Sequence, residues 1–357
     1  MNLKSVICNL QSAIRNPQSA IHDSRFTIRD SRFAIRNPIK MPLRYWNYTH
    51  KKVKPTSYPN RLYLESTNQC NLKCIMCPNG LGLMERKKGL MDFGLFKSII
   101  DEMAPHVEAT TVHIWGEPLL HPQMPEMIDY AASCGVQVEM STNAVLLNET
   151  MTKALLKTGL AVIYLCLDGA KKETYEKIRR QGSYEETKAN IENFLALRRE
   201  KTNGYLSVNI QIVEMDPTRD EIDSFVEKWS LPGVDHINVK AFDSWGNQLP
   251  GISQLESQKR KVSPDRFHCP NLWYHAHIYW DGTLVCCDRD FDAKYPLGNV
   301  SEGVMKVWNG DKMARLREKH ITGHLNDVPS CRECVEWSWW RPTWFKSRGN
   351  APEVMDN

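Results

Sequence analysis

The chain predicts an α/β fold in which a parallel sheet flanked by helices precedes a small cysteine-rich domain. From residue 60 onward, short β-branched runs alternate with amphipathic stretches, the pattern of strand–helix units in a parallel sheet. Chemistry-bearing motifs follow the carboxyl ends of several of those runs, where barrels and open α/β sheets place their sites. Five of the eleven cysteines fall in the last ninety residues, which marks the appended domain.

The first forty residues stand apart. Ile14, Ile21, Ile28 and Ile35 recur every seventh position, each followed by Arg or His. A coiled coil would need a second apolar position per heptad, and Pro17 and Pro38 interrupt the helix. The near-identical units Ser24–Asp30 and Ser31–Asn37 look like a translated DNA repeat, so residues 1–40 are expected to be a disordered leader and Met41 the functional start. A core over 41–250, a cysteine-rich domain over 251–345 and a tail over 346–357 follow.

Expected strands are Leu62–Ser66, Thr110–Trp115, Gln137–Ser141, Val162–Leu167, Ser207–Val213 and His236–Ala241. Between them, Phe93–Met103, Met124–Cys134, Tyr184–Arg198 and Arg219–Trp229 repeat apolar residues at three and four spacing. The longest apolar run, Leu160–Leu167, is far too short to cross a bilayer.

Cys70, Cys74 and Cys77 put three thiols in eight residues, and no fourth cysteine follows until Cys134. Three thiolates can hold three irons of a [4Fe–4S] cube and leave the fourth iron without a protein ligand. A zinc ribbon uses paired C-x-x-C arms, and the ferredoxin run has a different spacing. Cys134 and Cys166 fall in an expected helix and strand, where a free cysteine is usually a small buried hydrophobe.

The C-x3-C-x2-C spacing resembles the signature of the radical S-adenosylmethionine (SAM) superfamily, in which the amino and carboxylate groups of SAM fill the open iron site. Trp115-Gly116-Glu117-Pro118 resembles the motif that receives the methionine ammonium. Ser141-Thr142-Asn143-Ala144 resembles a ribose-contacting strand end. Leu165-Cys166-Leu167-Asp168-Gly169 is similar to the next strand end, and Arg179 stands where an arginine often pairs with the SAM carboxylate. The resemblance implies a partial (β/α)6 TIM-like barrel and a cofactor site made of Met76, Gly116, Glu117, Ser141, Asn143, Asp168 and Arg179. Three departures stand out: Met76 replaces an aromatic, Trp115 replaces a glycine and adds bulk beside the cofactor, and Cys166 replaces a serine.

In the tail, Cys331-Arg332-Glu333-Cys334 can bind one metal edge, and other thiols can close the site, with zinc as the sober alternative. Cys269-Pro270, Trp280-Asp281-Gly282 through Cys286-Cys287, and Leu297-Gly298-Asn299 resemble the SPASM/twitch extension of radical SAM enzymes. The resemblance implies one auxiliary [4Fe–4S] cluster, held by Cys269, Cys287, Cys331 and Cys334. Cys287 is preferred over Cys286 because it follows Gly282 by the gap typical of that extension.

The implied chemistry is reductive cleavage of SAM to a 5′-deoxyadenosyl radical that abstracts a hydrogen atom, with the auxiliary cluster accepting an electron in a two-electron oxidation. Asp243, after the sixth strand, is a candidate for proton transfer. Trp337, Trp339, Trp340 and Trp344 are expected to pack beside the cluster, and His113 to be a satisfied core histidine.

The two substrate classes are a small sugar- or cyclitol-like alcohol and a peptide or protein side chain. The former is favoured because about twenty residues between Met41 and the first strand are too few for a peptide-recognition domain. A non-catalytic electron-transfer protein would leave the SAM motifs unexplained. The implied partner is a low-potential donor such as flavodoxin or ferredoxin. The net charge of +4 resides in the leader: residues 1–40 hold seven Lys or Arg and two Asp, and the remainder holds 39 basic and 40 acidic side chains. That balance disfavours nucleic acid, which asks for a basic face. Cysteines at metal-ligand spacing and the lack of a secretory signal point to the cytoplasm.

Overall fold

The computed structural model describes residues 40–201, 204–256, 262 and 265–338. Most of the expected leader, the expected tail, and Trp339, Trp340 and Trp344 lie outside the described residues. Two compact units divide at Leu43 and Arg44, and the account below concerns the second.

Eleven strands follow in chain order: β1 (Arg61–Leu64), β2 (Lys73–Cys74), β3 (Ala109–Thr111), β4 (Gln137–Thr142), β5 (Leu160–Cys166), β6 (Arg179–Arg180), β7 (Ser207–Glu214), β8 (His236–Ala241), β9 (His275–Ile278), β10 (Thr283–Val285) and β11 (Gly298–Asn299). β1, β3, β4, β5, β7 and β8 lie side by side in that order, all parallel. These are the six expected strands of a partial (β/α)6 barrel. The C-terminal region then extends the same sheet: β9 pairs parallel to β1 with Leu62 opposite Ala276, and β10 and β11 continue antiparallel. β2 and β6 form a separate ribbon.

Alternation along each strand divides the sheet into two faces. Leu62 and Leu64 of β1, Val138 and Met140 of β4, Ile163 and Leu165 of β5, and Val208, Ile210 and Ile212 of β7 join the main apolar core with the helices. Helix Phe93–Met103 shows why the sequence folds this way. Asp92 caps it by accepting from Leu95 N at 3.0 Å, and Phe96, Ile99, Ile100 and Met103 form its buried stripe. Burying each such side chain stabilises by about 1.5–3 kcal/mol, so a charge at Ile100 would break this contact.

The opposite face of the sheet is polar. Asn238 Nδ2 donates to Gln211 Oε1 (3.2 Å), Gln211 Nε2 to Cys166 Sγ (3.4 Å), and Cys166 Sγ lies 2.9 Å from Ser141 Oγ. This row crosses β8, β7, β5 and β4. The β8 edge is open, with His236, Val239, Lys240 and Ala241 exposed. Among the described residues no helix is long and apolar enough to cross a membrane.

Two helices, Glu149–Lys157 and Lys172–Ile178, were not legible, being short and polar. β3 ends at Thr111, four residues before its expected end, because the chain turns there toward the cysteine loop.

Candidate cofactor and cluster sites

After β1 the chain enters a loop organised by buried Asn68. Its Nδ2 donates to Lys87 O, its Oδ1 accepts from Gly89 N, and its carbonyl accepts from Asn79 Nδ2, each at 2.9 Å. Gly80 passes so close that a Cβ there would meet the Cys74 backbone at 2.5 Å. The braced loop holds Cys70 exposed, Cys77 half-buried and Cys74 buried. Burial pushes the Cys70 thiol up to about 11 and Cys74 to about 12, with neighbouring cysteines adding to the shift. Thiolates are the ligand form, so a metal that binds here must displace these protons.

Gly116 presses on the same loop from the other side. It has φ +83°, and a Cβ would lie 2.4 Å from Gln69 O, so only glycine fits. Glu117 N donates to Gln69 O at 2.8 Å. The Glu117 carboxylate is buried and accepts from Thr142 Oγ1 (2.7 Å), Asn143 N (2.8 Å) and Leu119 N (3.1 Å). Burial raises its pKa. Asn143 Nδ2 donates to Asn71 Oδ1 at 2.8 Å and reaches Cys70 Sγ at 4.0 Å. Ser141 N donates to His113 Nδ1 at 3.0 Å. The expected cofactor motifs thus converge on the cysteine loop.

Trp115 turns away from that convergence. Its indole packs tilted against Trp245 at 4.7 Å and edge-on to Phe291 at 6.1 Å, and its Nε1 donates to Asp288 O. It fills the seam between the cysteine loop and the C-terminal region instead of crowding a cofactor. Met76 packs with Ile178, Met215 and Phe242, and its carbonyl accepts from Trp245 Nε1 at 2.8 Å.

Asp168 and Arg179 form one device. Asp168 is fully buried at φ +49°; its Oδ2 accepts from Arg179 Nε (3.0 Å) and Nη2 (2.7 Å), and its Oδ1 from Val213 N (2.7 Å). Both oxygens are engaged, so Asp168 fixes Arg179 beside the cysteine loop. Burial alone would lower the Arg179 pKa, but Asp168 holds it well above the ordinary value. Arg179 Nη1 makes no hydrogen bond among the described residues and stays available to an anionic group.

Asp243 is likewise committed. Arg289 Nη2 pairs with its Oδ2, and Trp245 N donates to its Oδ1 at 2.8 Å. Arg289 also meets Asp288 at 2.9 Å and approaches Glu336 at 3.6 Å. The carboxylate expected to move a proton is therefore one of three gathered on one buried guanidinium, a partner that spacing could not reveal.

The tail cysteines come together. One cavity is lined by Cys269, Cys287, Cys331 and Cys334, along with Arg289 and Glu336. Cys286 lies outside that lining, buried in the apolar core with Sγ 3.5 Å from Ser330 Oγ. All four lining thiols are raised: Cys269 to about 12 and Cys334 by burial, Cys287 first by its contact with Cys286 and then by burial, and Cys331 by burial against the lowering contact of Cys286. Cys334 Sγ donates to Glu336 Oε2 at 3.0 Å, and Arg289 holds Glu336 down to about 2 against the upward push of burial.

Both sites fit iron–sulfur clusters. Among the described residues no three His, Cys, Asp or Glu side chains converge on a point suited to a single ion. Tetrahedral zinc draws its ligands to about 2.3 Å from one centre, whereas cluster thiolates each take a separate iron. Asn143 reaches the three-thiol loop and Arg179 pairs with it, and the opposite charges of Glu117 and Arg179 complement an amino-acid headgroup. Thr142, Asn71, Arg289 and Glu336 were missed in the sequence because only distant contacts give them a role, although each stands within two residues of a motif member.

Comparisons agree with this geometry. The radical SAM superfamily profile matches residues 64–227, and that of SPASM, an iron–sulfur cluster-binding domain, matches residues 269–335. The chain is 31% identical over 311 residues to mycofactocin maturase MftC of Mycobacterium tuberculosis, covering 77% of each. It is 26% identical over 322 residues to the tungsten-containing aldehyde ferredoxin oxidoreductase cofactor-modifying protein of Pyrococcus furiosus, covering 76% of this chain and 86% of that one. Streptococcus suis SuiB bound to precursor peptide SuiA shares the fold, with TM-score 0.61 and 14% identity over 87% of this chain and 77% of that one. The chain belongs to the radical SAM superfamily and is an enzyme of the group that carries a C-terminal SPASM iron–sulfur domain.

Proposed function

We propose that this enzyme modifies a peptide or protein side chain by SAM-dependent hydrogen abstraction. The observation that carries this reading is the 31% identity to a maturase across both domains, and the precursor peptide bound to the similarly folded SuiB supports it. These outweigh the sequence-based leaning toward a sugar or cyclitol alcohol, which rested on the short stretch before β1. The open β8 edge and the inward amides of Asn209, Gln211 and Asn238 suit an extended chain that offers one side chain to the barrel.

In this reading Cys70, Cys74 and Cys77 hold the SAM-binding cluster, and Cys269, Cys287, Cys331 and Cys334 hold the auxiliary one. Together they supply one-electron SAM cleavage and an electron acceptor. Glu117 receives the methionine ammonium. Arg179, steered by Asp168, meets the carboxylate. Met76, Gly116, Ser141 and Asn143 shape the adenosine side. Asp243 takes a substrate proton only when Arg289 releases it. A low-potential flavodoxin or ferredoxin supplies the electron. The ten described cysteines are all free thiols, which supports a reducing cytoplasm.

The test is anaerobic turnover of the reconstituted enzyme with short peptides encoded by neighbouring genes and, in parallel, with cyclitols. Peptide-dependent 5′-deoxyadenosine with a matching mass change in the peptide is expected. Coupled turnover of cyclitols alone would overturn the reading.

A further inference from the structure

His320 lies in helix Asp311–Thr322, before Cys331 and Cys334 in the chain, and it lines the four-cysteine cavity. The residue is 7% exposed, and neither ring nitrogen has a hydrogen-bond partner. Leaving a buried polar group unpaired costs about 1–3 kcal/mol, so its place in the fold asks for a partner that the protein does not itself provide. Burial, aided by Arg266 and His268, pushes its pKa down to about 3. Neutral or protonated, the ring has an N–H to give. Around it in the cavity stand four thiols and the Ser330 hydroxyl. Four thiolates already satisfy four irons, so a fifth ligand is not needed, but sulfur atoms that accept hydrogen bonds are plentiful.

We propose that His320 donates an N–H···S hydrogen bond to the auxiliary cluster, positioning it and raising its reduction potential. This rests on Cys269, Cys287, Cys331 and Cys334 being the ligands. Reduction adds negative charge to the cluster, so a donor aimed at its sulfur favours the reduced form. A cluster that must accept an electron benefits from that bias.

The test uses full-length protein carrying Cys70→Ala, Cys74→Ala and Cys77→Ala, so that one cluster of about four irons remains. His320→Leu and His320→Gln are compared with it by EPR-monitored redox titration and iron analysis. His320→Leu is expected to lower the midpoint potential by about tenfold in the reduction equilibrium, near 59 mV for one electron. His320→Gln, which keeps an N–H donor, should restore much of the difference. With His320 present, pulsed EPR should show a weak, exchangeable proton coupling that Leu abolishes. Loss of iron in the Leu variant alone also supports a donor. An unchanged potential in His320→Leu, equal effects of Leu and Gln, iron loss in both, or directly bonded nitrogen coupling would each overturn the proposal. Absence of iron with His320 intact would overturn the ligand assignment and the proposal with it, leaving the peptide reading to its own assay.

Discussion

Cys74 lies directly opposite Arg179 in the register of the β2–β6 ribbon. One short antiparallel pairing thereby joins the middle thiol of the cysteine loop to the arginine that faces the same site. Arg179 is fixed in turn by Asp168, whose second oxygen is anchored on Val213 N in β7. Loop, arginine and sheet are thereby joined by one chain of contacts.

Replacing Asp168 by Asn should loosen Arg179 without touching a thiol. SAM affinity is expected to fall about tenfold, the worth of one charge-assisted hydrogen bond of about 1.4 kcal/mol. Equilibrium dialysis would read it, with iron content unchanged. Equal affinity in the variant would remove Asp168 from the device.

Cluster loading should distinguish adjacent thiols. Reconstituted parent protein should hold about eight irons per chain, and Cys287→Ala about four. Cys286→Ala, which removes a thiol from the apolar core, should keep all of them. The reverse pattern would exchange the two roles, and zinc in the tail would end the cluster assignment.

Trp115 now has a structural task. Trp115→Ala should cost about 3–5 kcal/mol through loss of buried packing, seen as a lower urea midpoint, and Trp115→Phe should cost less. A midpoint unmoved by Trp115→Ala would show that the seam does not depend on this indole.

Acid should unfold the protein partly through His277. It is buried, stacks on Tyr63 at 4.4 Å, and neither ring nitrogen has a hydrogen-bond partner. Burial pushes its pKa down to about 4. The unfolded state, with pKa near 6.5, binds the proton first, so this contribution is present above about 6.5 and is lost as pH falls through about 4. The loss is about 3 kcal/mol by pH 4. His277→Phe should flatten the acid limb of stability against pH by that amount; an identical limb would mean that His277 is not among the groups that take up protons.

Much of the chemistry was local and therefore legible. Cys70, Cys74 and Cys77 lie within one loop, and strand–helix periodicity placed β1, β3, β4, β5, β7 and β8 but not β9, the further strand parallel to β1, because both signals repeat over a few residues. Glu117 and Asn143 were found as motif members, but their mutual hydrogen bond was not. The anchoring of Asp168 on Val213 was not legible either, since nothing near Asp168 in the chain announces Val213.

The sequence by itself determined which thiols stand at ligand spacing, where the six barrel strands run, and that the charge of the leader differs from that of the remainder. These depend on residue type and short spacing. Only the tertiary structure decided that β9 extends the barrel sheet beside β1, that Cys287 and not Cys286 lines the cavity, that Arg289 gathers three carboxylates, and that His320 faces four cysteines. Each of these joins residues far apart in the chain, and such contacts form only once the apolar face of the sheet has buried itself against its helices and fixed what stands opposite what.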